Sequence, residues 1–398
     1  MVRIRRILSI RMIMLLAAGG VCLVTIILNR YAYSNVKTQH ERRAALHQWV
    51  QSLREEGGQD LGHQPKPDTS PDNHTTPATS QTKVILMHSF PDYYGLVSGL
   101  SLFSKCDHSC ALTLDQELVE EVDCVIAFSS NNFWSRPPPP QTPNQVWVYF
   151  AVESPIYSNI KDFDNPAWHN RFNWTMTYRR DSDFYFGYGD VVKPSSPVPA
   201  RNFTSVVEGK SKMVAWFVSN CASQSKRMDF TKALKEFIEV DIYGGCGDLK
   251  CDRKDVKACR DMLSKDYYFY LSFENSLCKD YITEKAYLIM KEVDIVPVVR
   301  GGANYTALLP KNSFIDASQF PTVKALADYL KQVAADKELY QSFLSWKNEW
   351  QVIEPIPFSF CDFCQRLHHT DRYAKVYPNV VSWWRNGICH DPPPVIKS

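Results

Sequence analysis

Tyr267-Tyr-Phe-Tyr-Leu-Ser-Phe273-Glu274-Asn275-Ser276-Leu-Cys278-Lys279-Asp280-Tyr281-Ile-Thr283-Glu284-Lys285-Ala-Tyr287 is the stretch from which the fold can be read. Its aromatic, apolar beginning predicts a strand over Tyr267–Phe273 that stops at a polar Glu-Asn-Ser corner. The continuation predicts a helix whose first turns carry Tyr281, Glu284 and Lys285, which spacings of three and four residues bring to one face. A carboxylate, an amide, a phenol and a cation would then gather where the carboxyl end of a strand meets the amino end of a helix. In open α/β sheets that crevice is the usual nucleotide site.

The flanking sequence repeats the alternation. Lys83–His88, Val122–Phe128 and Gln145–Val152 read as buried strands, with turns and the Pro137–Pro140 cluster between them. Residues 190–210, with Pro194, Pro197 and Pro199, read as a linker. A second unit follows: strand Met213–Val218, helix Lys226–Phe237, strand Val240–Gly245, the 267–287 segment, and strand Asp294–Gly302. Helices near Thr322–Val333 and Lys337–Trp350 close the body. Strands alternating with helices predict two α/β domains built on parallel sheets.

The chain has 398 residues, ample for two cores, and a net charge of +2 from 45 basic and 43 acidic side chains. That balance argues against a nucleic-acid partner. Four arginines (Arg3, Arg5, Arg6, Arg11) precede an uncharged run from Met12 to Leu28, short for a span but suited to the thinner membranes of the early secretory pathway. Arg30, Lys37, Arg42 and Arg43 follow it and weaken the charge asymmetry. The expectation is an uncleaved signal anchor, with residues 1–11 cytosolic. A signal peptide cut near Ala17-Ala18-Gly19-Gly20 is the competing reading, disfavoured because apolar residues continue past that point. Residues 29–82 read as a stem, with a short helix within Val36–Leu53 and a Gly-, Pro-, Ser- and Thr-rich part from Glu55 to Lys83 that cannot bury a core. The body then divides into 83–205, 206–355 and a cysteine-containing tail, 356–398.

Downstream features fit a lumenal, oxidising compartment. Glycosylation sequons begin at Asn73, Asn173, Asn202 and Asn304. Twelve cysteines less Cys22 in the apolar run leave eleven, so at least one is unpaired or pairs between chains; Cys124, in an apolar strand, is the candidate buried thiol.

The 267–287 segment resembles the signature of the glycosyltransferase family 10 α1,3-fucosyltransferases, which transfer L-fucose from GDP-fucose to N-acetylglucosamine. The resemblance covers about residues 122–350. It includes Trp147-Val-Tyr-Phe-Ala-Val-Glu153-Ser-Pro155, Phe172–Asp183, and Val218-Ser-Asn220 with Arg227 and Asp241-Ile-Tyr243-Gly244. It implies the GT-B architecture, two Rossmann-like domains facing a cleft; the anchor and the lumenal features lead us to expect a Golgi membrane protein of single-pass type II topology. It also implies inverting chemistry, since a β-linked donor becomes an α-linked product. Glu153 aligns with the general base, and Arg227 and Lys285 with cations that stabilise the departing GDP. Tyr243, Tyr281 and Glu284 match donor-binding positions, and Glu274 and Asn275 are expected to orient these groups or the sugar.

Two metal-like motifs are discounted. Asp181-Ser-Asp183 follows Arg179-Arg180, which would compete for its carboxylates. Cys361-Asp-Phe-Cys364 with His368-His369 is half a zinc site without a second half. By resemblance, Cys361 and Cys364 instead join Cys106 and Cys110. A Cys221–Cys278 bridge beside the donor site is a further candidate, although sequence does not set connectivity. No metal ligand or required cofactor is expected, manganese stimulation through the nucleotide is left open, and so is oligomeric state. Where antennal-type relatives carry paired histidines, this chain reads Ala127-Phe-Ser-Ser-Asn-Asn-Phe-Trp134, which leaves fucosylation of the N-glycan core open. The alternative from another class is a catalytically silent, lectin-like membrane protein of the same fold. A related enzyme using another sugar nucleotide is the remaining rival.

Overall fold

The structure, a computed structural model, describes residues 47–52, 54, 81–89, 98–129, 137–140, 142–158, 160–196, 199–252, 254–353 and 360–398. The expected anchor, Asn73 and the segment 130–134 lie outside them. Among the described residues no helix is long and apolar enough to cross a membrane.

The first lobe is built on β1 (Lys83–His88), β2 (Cys110–Thr113), β3 (Cys124–Phe128), β4 (Val146–Ala151), β5 (Trp174–Thr177) and β6 (Phe184–Tyr185). They form one all-parallel sheet in the order β2-β1-β3-β4-β5-β6. Strands β3 and β4 are buried along their whole length, as expected of parallel strands covered on both faces. A short strand β7 (Asp190–Val192) follows. The second lobe holds β8 (Lys212–Phe217), β9 (Val240–Tyr243), β10 (Tyr267–Phe273), β11 (Val296–Arg300) and β12 (Ile315–Asp316), also all parallel, in the order β12-β11-β10-β8-β9. The strand order reverses between β8 and β10, and a ligand crevice is expected at the carboxyl ends there. This is the doubly wound α/β architecture anticipated from the alternation.

Three local expectations need correction. Residues 190–192, read as linker, pair antiparallel with β13 (Gln351–Ile353), because Val191 and Val352 cover the helix Glu284–Glu292 beneath them. The helix after β10 starts at Glu284, with the Thr283 hydroxyl capping it, so Tyr281 precedes the helix instead of riding on it. The stem is not wholly separate from the body: residues 47–52 are helical, Val50 is buried in the first lobe's core, and His47 bonds Glu121 at 2.9 Å.

The carboxyl-terminal tail crosses back over both lobes. Helix Phe360–His368 buries Phe363 and Leu367 against Trp174 and Phe184 on one face of the first sheet. Helix Val380–Arg385 lays Trp384 against Tyr149 and Tyr178 on the other face. Residues 396 and 397 then accept hydrogen bonds from Val323 and Lys324 of the second lobe. Truncating an anchor such as Trp384 costs roughly 3–5 kcal/mol.

Disulfides Cys106–Cys361 and Cys110–Cys364 hold the tail to the first lobe, as the resemblance implied. Their formation removes both thiolates from the Cys110, Cys364, His368 cluster that imitates a metal site. The expected Cys221–Cys278 bridge is not formed. Cys221 joins Cys246, because the loops after neighbouring strands β8 and β9 run side by side, and Cys278 joins Cys389 of the returning tail. Cys251–Cys259 closes a short loop. Among the described residues Cys124 is the free cysteine, buried, with its thiol pKa pushed up by that burial.

Candidate active site

Strand β4 runs out at Ala151, and its apolar run ends in the turn that presents Glu153. Two contacts fix this corner. Tyr188 donates through its hydroxyl to the Val152 carbonyl at 2.9 Å, and Tyr281 donates to Glu153 Oε2 at 3.0 Å. The Ser154 carbonyl accepts from the Tyr157 and Ser158 amides, closing a tight turn. Tyr157 then reaches across to the second lobe, where its hydroxyl accepts from the Gln224 amide at 2.8 Å.

The loop between β10 and its helix makes the opposite wall. Glu274 is fully buried, and Thr283 donates to its carboxylate through both the amide, at 2.8 Å, and the hydroxyl, at 3.0 Å. Lys285 Nζ lies 3.5 Å from Glu274 Oε2 and donates to Thr283 Oγ1 at 2.8 Å and Glu284 Oε1 at 3.0 Å. Burial works against the Lys285 ammonium, but the carboxylates of Glu274 and Glu284 outweigh it and hold its pKa above the ordinary value. Burial likewise raises the Glu274 carboxyl, against the opposing pull of Lys285. Lys285 occupies the first turn of its helix, where the amino-terminal dipole already favours anions. Glu284 beside it is exposed.

Arg227, expected to stabilise the departing GDP, is 4% exposed and donates to the Phe273 carbonyl at 2.8 Å and the Asn220 carbonyl at 3.2 Å, tying the ends of β8 and β10 together. Its Nε is buried without a hydrogen-bond partner among the described residues. Burial lowers its pKa, opposed by Glu274, Tyr157 and Tyr281, all within electrostatic reach. Asn275 is half-buried; its carbonyl accepts from the Ser225 amide and its Oδ1 from Ser276.

Tyr243 stands apart from this cluster, in the wall of a groove of about 280 Å³ at the carboxyl ends of β8 and β9, with Phe217, Val218, Ser219, Gly244 and Val256. Its phenol is paired with that of Tyr267 at 2.8 Å. Gly244 has φ +102°, and a Cβ would meet the Val218 carbonyl at 2.6 Å. At Gly302, after β11, a Cβ would lie 2.5 Å from the Cys278 amide nitrogen, so this glycine lets the 274–283 loop seat.

Glu153, Arg227, Glu274, Tyr281 and Lys285 thus lie in one neighbourhood of the structure. Ser225, Arg300 and Thr283 were not expected there. Ser225 donates to the Glu274 carbonyl, Arg300 donates to the Ser225 carbonyl, and Thr283 is the helix cap. A Thr before Glu-Lys was a readable cap signal; nothing local marked Ser225. The discounted Asp181-Ser-Asp183 motif is salt-bridged: Asp181 to Arg179 at 2.6 Å and Lys279 at 3.1 Å, and Asp183 to Lys375 at 2.8 Å.

Of the sequons, Asn202 and Asn304 are exposed. Asn173 is half-buried with both ends of its amide engaged. Its Oδ1 accepts from the Trp147 amide at 2.8 Å, its Nδ2 donates to the Lys375 carbonyl at 3.2 Å, and Thr175 is fully buried.

Comparison with known proteins gives concordant matches. The family described as glycosyltransferase family 10 (fucosyltransferase) C-term matches residues 207–383, and the fucosyltransferase N-terminal family matches 80–189. Alpha-(1,3)-fucosyltransferase C of Drosophila melanogaster is 40% identical over 289 residues, covering 67% of this chain and 66% of that protein. Glycoprotein 3-alpha-L-fucosyltransferase A of the same fly is 33% identical, covering 78% and 62%. A 3-galactosyl-N-acetylglucosaminide 4-alpha-L-fucosyltransferase of Bos taurus is 36% identical, covering 69% and 74%. The chain thus spans about two thirds of the length of the two fly proteins, 66% and 62%.

Proposed function

The chain belongs to glycosyltransferase family 10, the fucosyltransferases, and from that premise we propose that it is an inverting α1,3-fucosyltransferase. GDP-β-L-fucose is the donor and the 3-hydroxyl of N-acetylglucosamine in a glycan is the acceptor. The observation that carries the reading is the meeting of Glu153 with Tyr281, on the short loop that starts at Glu274 and leads into the helix bearing Lys285. A carboxylate at the end of one sheet thereby faces the cation-bearing wall of the other.

In this reading Glu153 takes the acceptor proton as the acceptor oxygen attacks the anomeric carbon. The bond from that carbon to the diphosphate oxygen breaks, and the configuration inverts. Lys285, partly open to solvent and at a helix amino end, meets the charge that develops on GDP. Arg227, enclosed and bound to two carbonyls, holds the β8 and β10 ends in place and adds positive potential. The groove beside Tyr243 and Gly244 takes the nucleoside. Protein cations occupy the role a metal fills in other transferases, so no metal is required in this scheme. Any stimulation by manganese would act through the nucleotide.

The proposed setting is the Golgi membrane, with the body lumenal and the run 12–28 as anchor; the disulfides suit that compartment. The named relatives differ in acceptor, a glycoprotein in one case and a galactosyl-N-acetylglucosaminide in another, so kinship does not choose between core and antenna. The test is incubation with GDP-fucose and two acceptors, free lactosamine and a core glycopeptide, followed by linkage analysis. An α1,3 linkage on either is expected. Glycan binding without turnover would favour the lectin-like alternative, and transfer only from another sugar nucleotide would reject the donor.

A further inference from the structure

We propose that Asp252 selects the base of the donor nucleotide, its carboxylate accepting the two donors on the Watson–Crick edge of guanine. The inference rests on the reading of a GDP-linked sugar as donor.

The groove at the carboxyl ends of β8 and β9 has mostly apolar walls, Phe217, Val218, Tyr243 and Val256 among them, which suit a flat heterocycle. Val256 is 46% exposed, apolar surface that a bound base would cover. Among the described lining residues Asp252 is the only charged side chain. Aromatic contacts join this groove to the cation-bearing wall. Phe217 packs 6.0 Å from Tyr270, and Tyr270 lies within electrostatic reach of Glu284, the neighbour of Lys285. A nucleotide with its phosphates at Lys285 therefore sets its base toward Asp252.

Asp252 is exposed yet fixed in place. Cys251, just before it, is bonded to Cys259 in the first turn of the helix Val256–Asp266, which closes the loop onto that helix. Asp252 Oδ1 accepts from the Lys254 amide at 2.9 Å, and the Asp252 carbonyl accepts from the Asp255 amide at 3.0 Å. Oδ2 accepts no hydrogen bond among the described residues, and Oδ1 keeps a second lone pair. The nearby Asp255 is already committed, its Oδ1 capping the helix at the Ala258 amide.

Guanine offers its N1–H and 2-amino group side by side, a match for the two oxygens of a carboxylate. Adenine presents a bare N1 at the same place, and hypoxanthine lacks the amino group. Uracil sets carbonyls on both sides of its single N–H. Each of these leaves a carboxylate oxygen unpaired or facing an acceptor, so each is bound less well.

The test is calorimetry on the full-length protein with GDP, inosine diphosphate and UDP. Wild type is expected to bind GDP about 10- to 100-fold more tightly than inosine diphosphate. Asp252→Asn, which retains an acceptor for the Lys254 amide, should bring the two within about twofold at an unchanged unfolding temperature. A structural loss would weaken both ligands alike, so an unchanged ratio in Asp252→Asn overturns the inference. Equal affinities for GDP and inosine diphosphate in wild type overturn it without any variant. UDP bound as tightly as GDP would remove the donor reading and this inference together. GDP selectivity that survives in Asp252→Asn would remove only the role of Asp252.

Discussion

Lys285 Nζ stands 3.5 Å from the fully buried Glu274 carboxylate while Thr283 bridges the two through its hydroxyl. The cation proposed to meet the departing diphosphate is therefore held by a carboxylate that cannot itself reach solvent. Lys285→Ala is expected to weaken GDP binding about 100-fold, on the order of 3 kcal/mol, read by calorimetry. It should also lower the unfolding temperature, since Glu274 is left buried and unpaired. Glu274→Gln in the same background should recover the stability and not the affinity. Full GDP affinity in Lys285→Ala would reject the assignment.

Asp181→Asn should leave transfer within about threefold of wild type, because its carboxylate serves Arg179 and Lys279 and not a metal. The pH dependence has a definite sign. Burial opposes the charge, but Arg179 and Lys279 prevail and hold the folded pKa of Asp181 below its ordinary 3.8. Its contribution is present above that value and is lost as pH falls through the folded pKa. The difference in unfolding temperature between wild type and variant should therefore vanish in strong acid. A difference that persists there would point to a contact other than these ion pairs.

Mass mapping of non-reduced peptides should recover Cys278 linked to Cys389 and Cys221 linked to Cys246, with no Cys221–Cys278 species. Replacing both Cys278 and Cys389 with alanine should cost about 2–5 kcal/mol. It should also weaken donor binding, since the bridge anchors the 274–283 loop. Unaltered GDP affinity would mean that the loop holds its shape without the bridge.

Glycopeptide analysis of the protein expressed through a secretory pathway should find glycans at Asn202 and Asn304 and none at Asn173. Asn173→Gln is expected to destabilise by about 1–2 kcal/mol, because the Trp147 amide loses its acceptor. Asn202→Gln should leave the unfolding temperature within about 1 °C of wild type, as exposed substitutions generally do. An occupied Asn173 would contradict the engagement of its amide.

Much of the site was legible because its signals are local. The apolar runs at β1, β4 and β10 mark strands covered on both faces. A polar corner straight after such a run marks a carboxyl end, which located Glu153, Glu274 and Asn275. Short elements escaped: β2 and β5 are four residues each, too brief to establish a period. Residues 190–192 read as linker because their pairing partner lies some 160 positions on.

Sequence by itself determined the strand runs, the two-domain alternation, the family signature and the chemical types of the site residues, since each depends on neighbours a few positions away. Tertiary structure alone decided that Tyr281 turns to Glu153, 128 residues distant. It also decided that Arg227 is enclosed by carbonyls, that both ends of the Asn173 amide are engaged, and that Cys278 waits for Cys389. Those outcomes depend on which surfaces the returning tail and the loop after β10 bury together. Burial is a property of the packed chain, not of any short stretch of it.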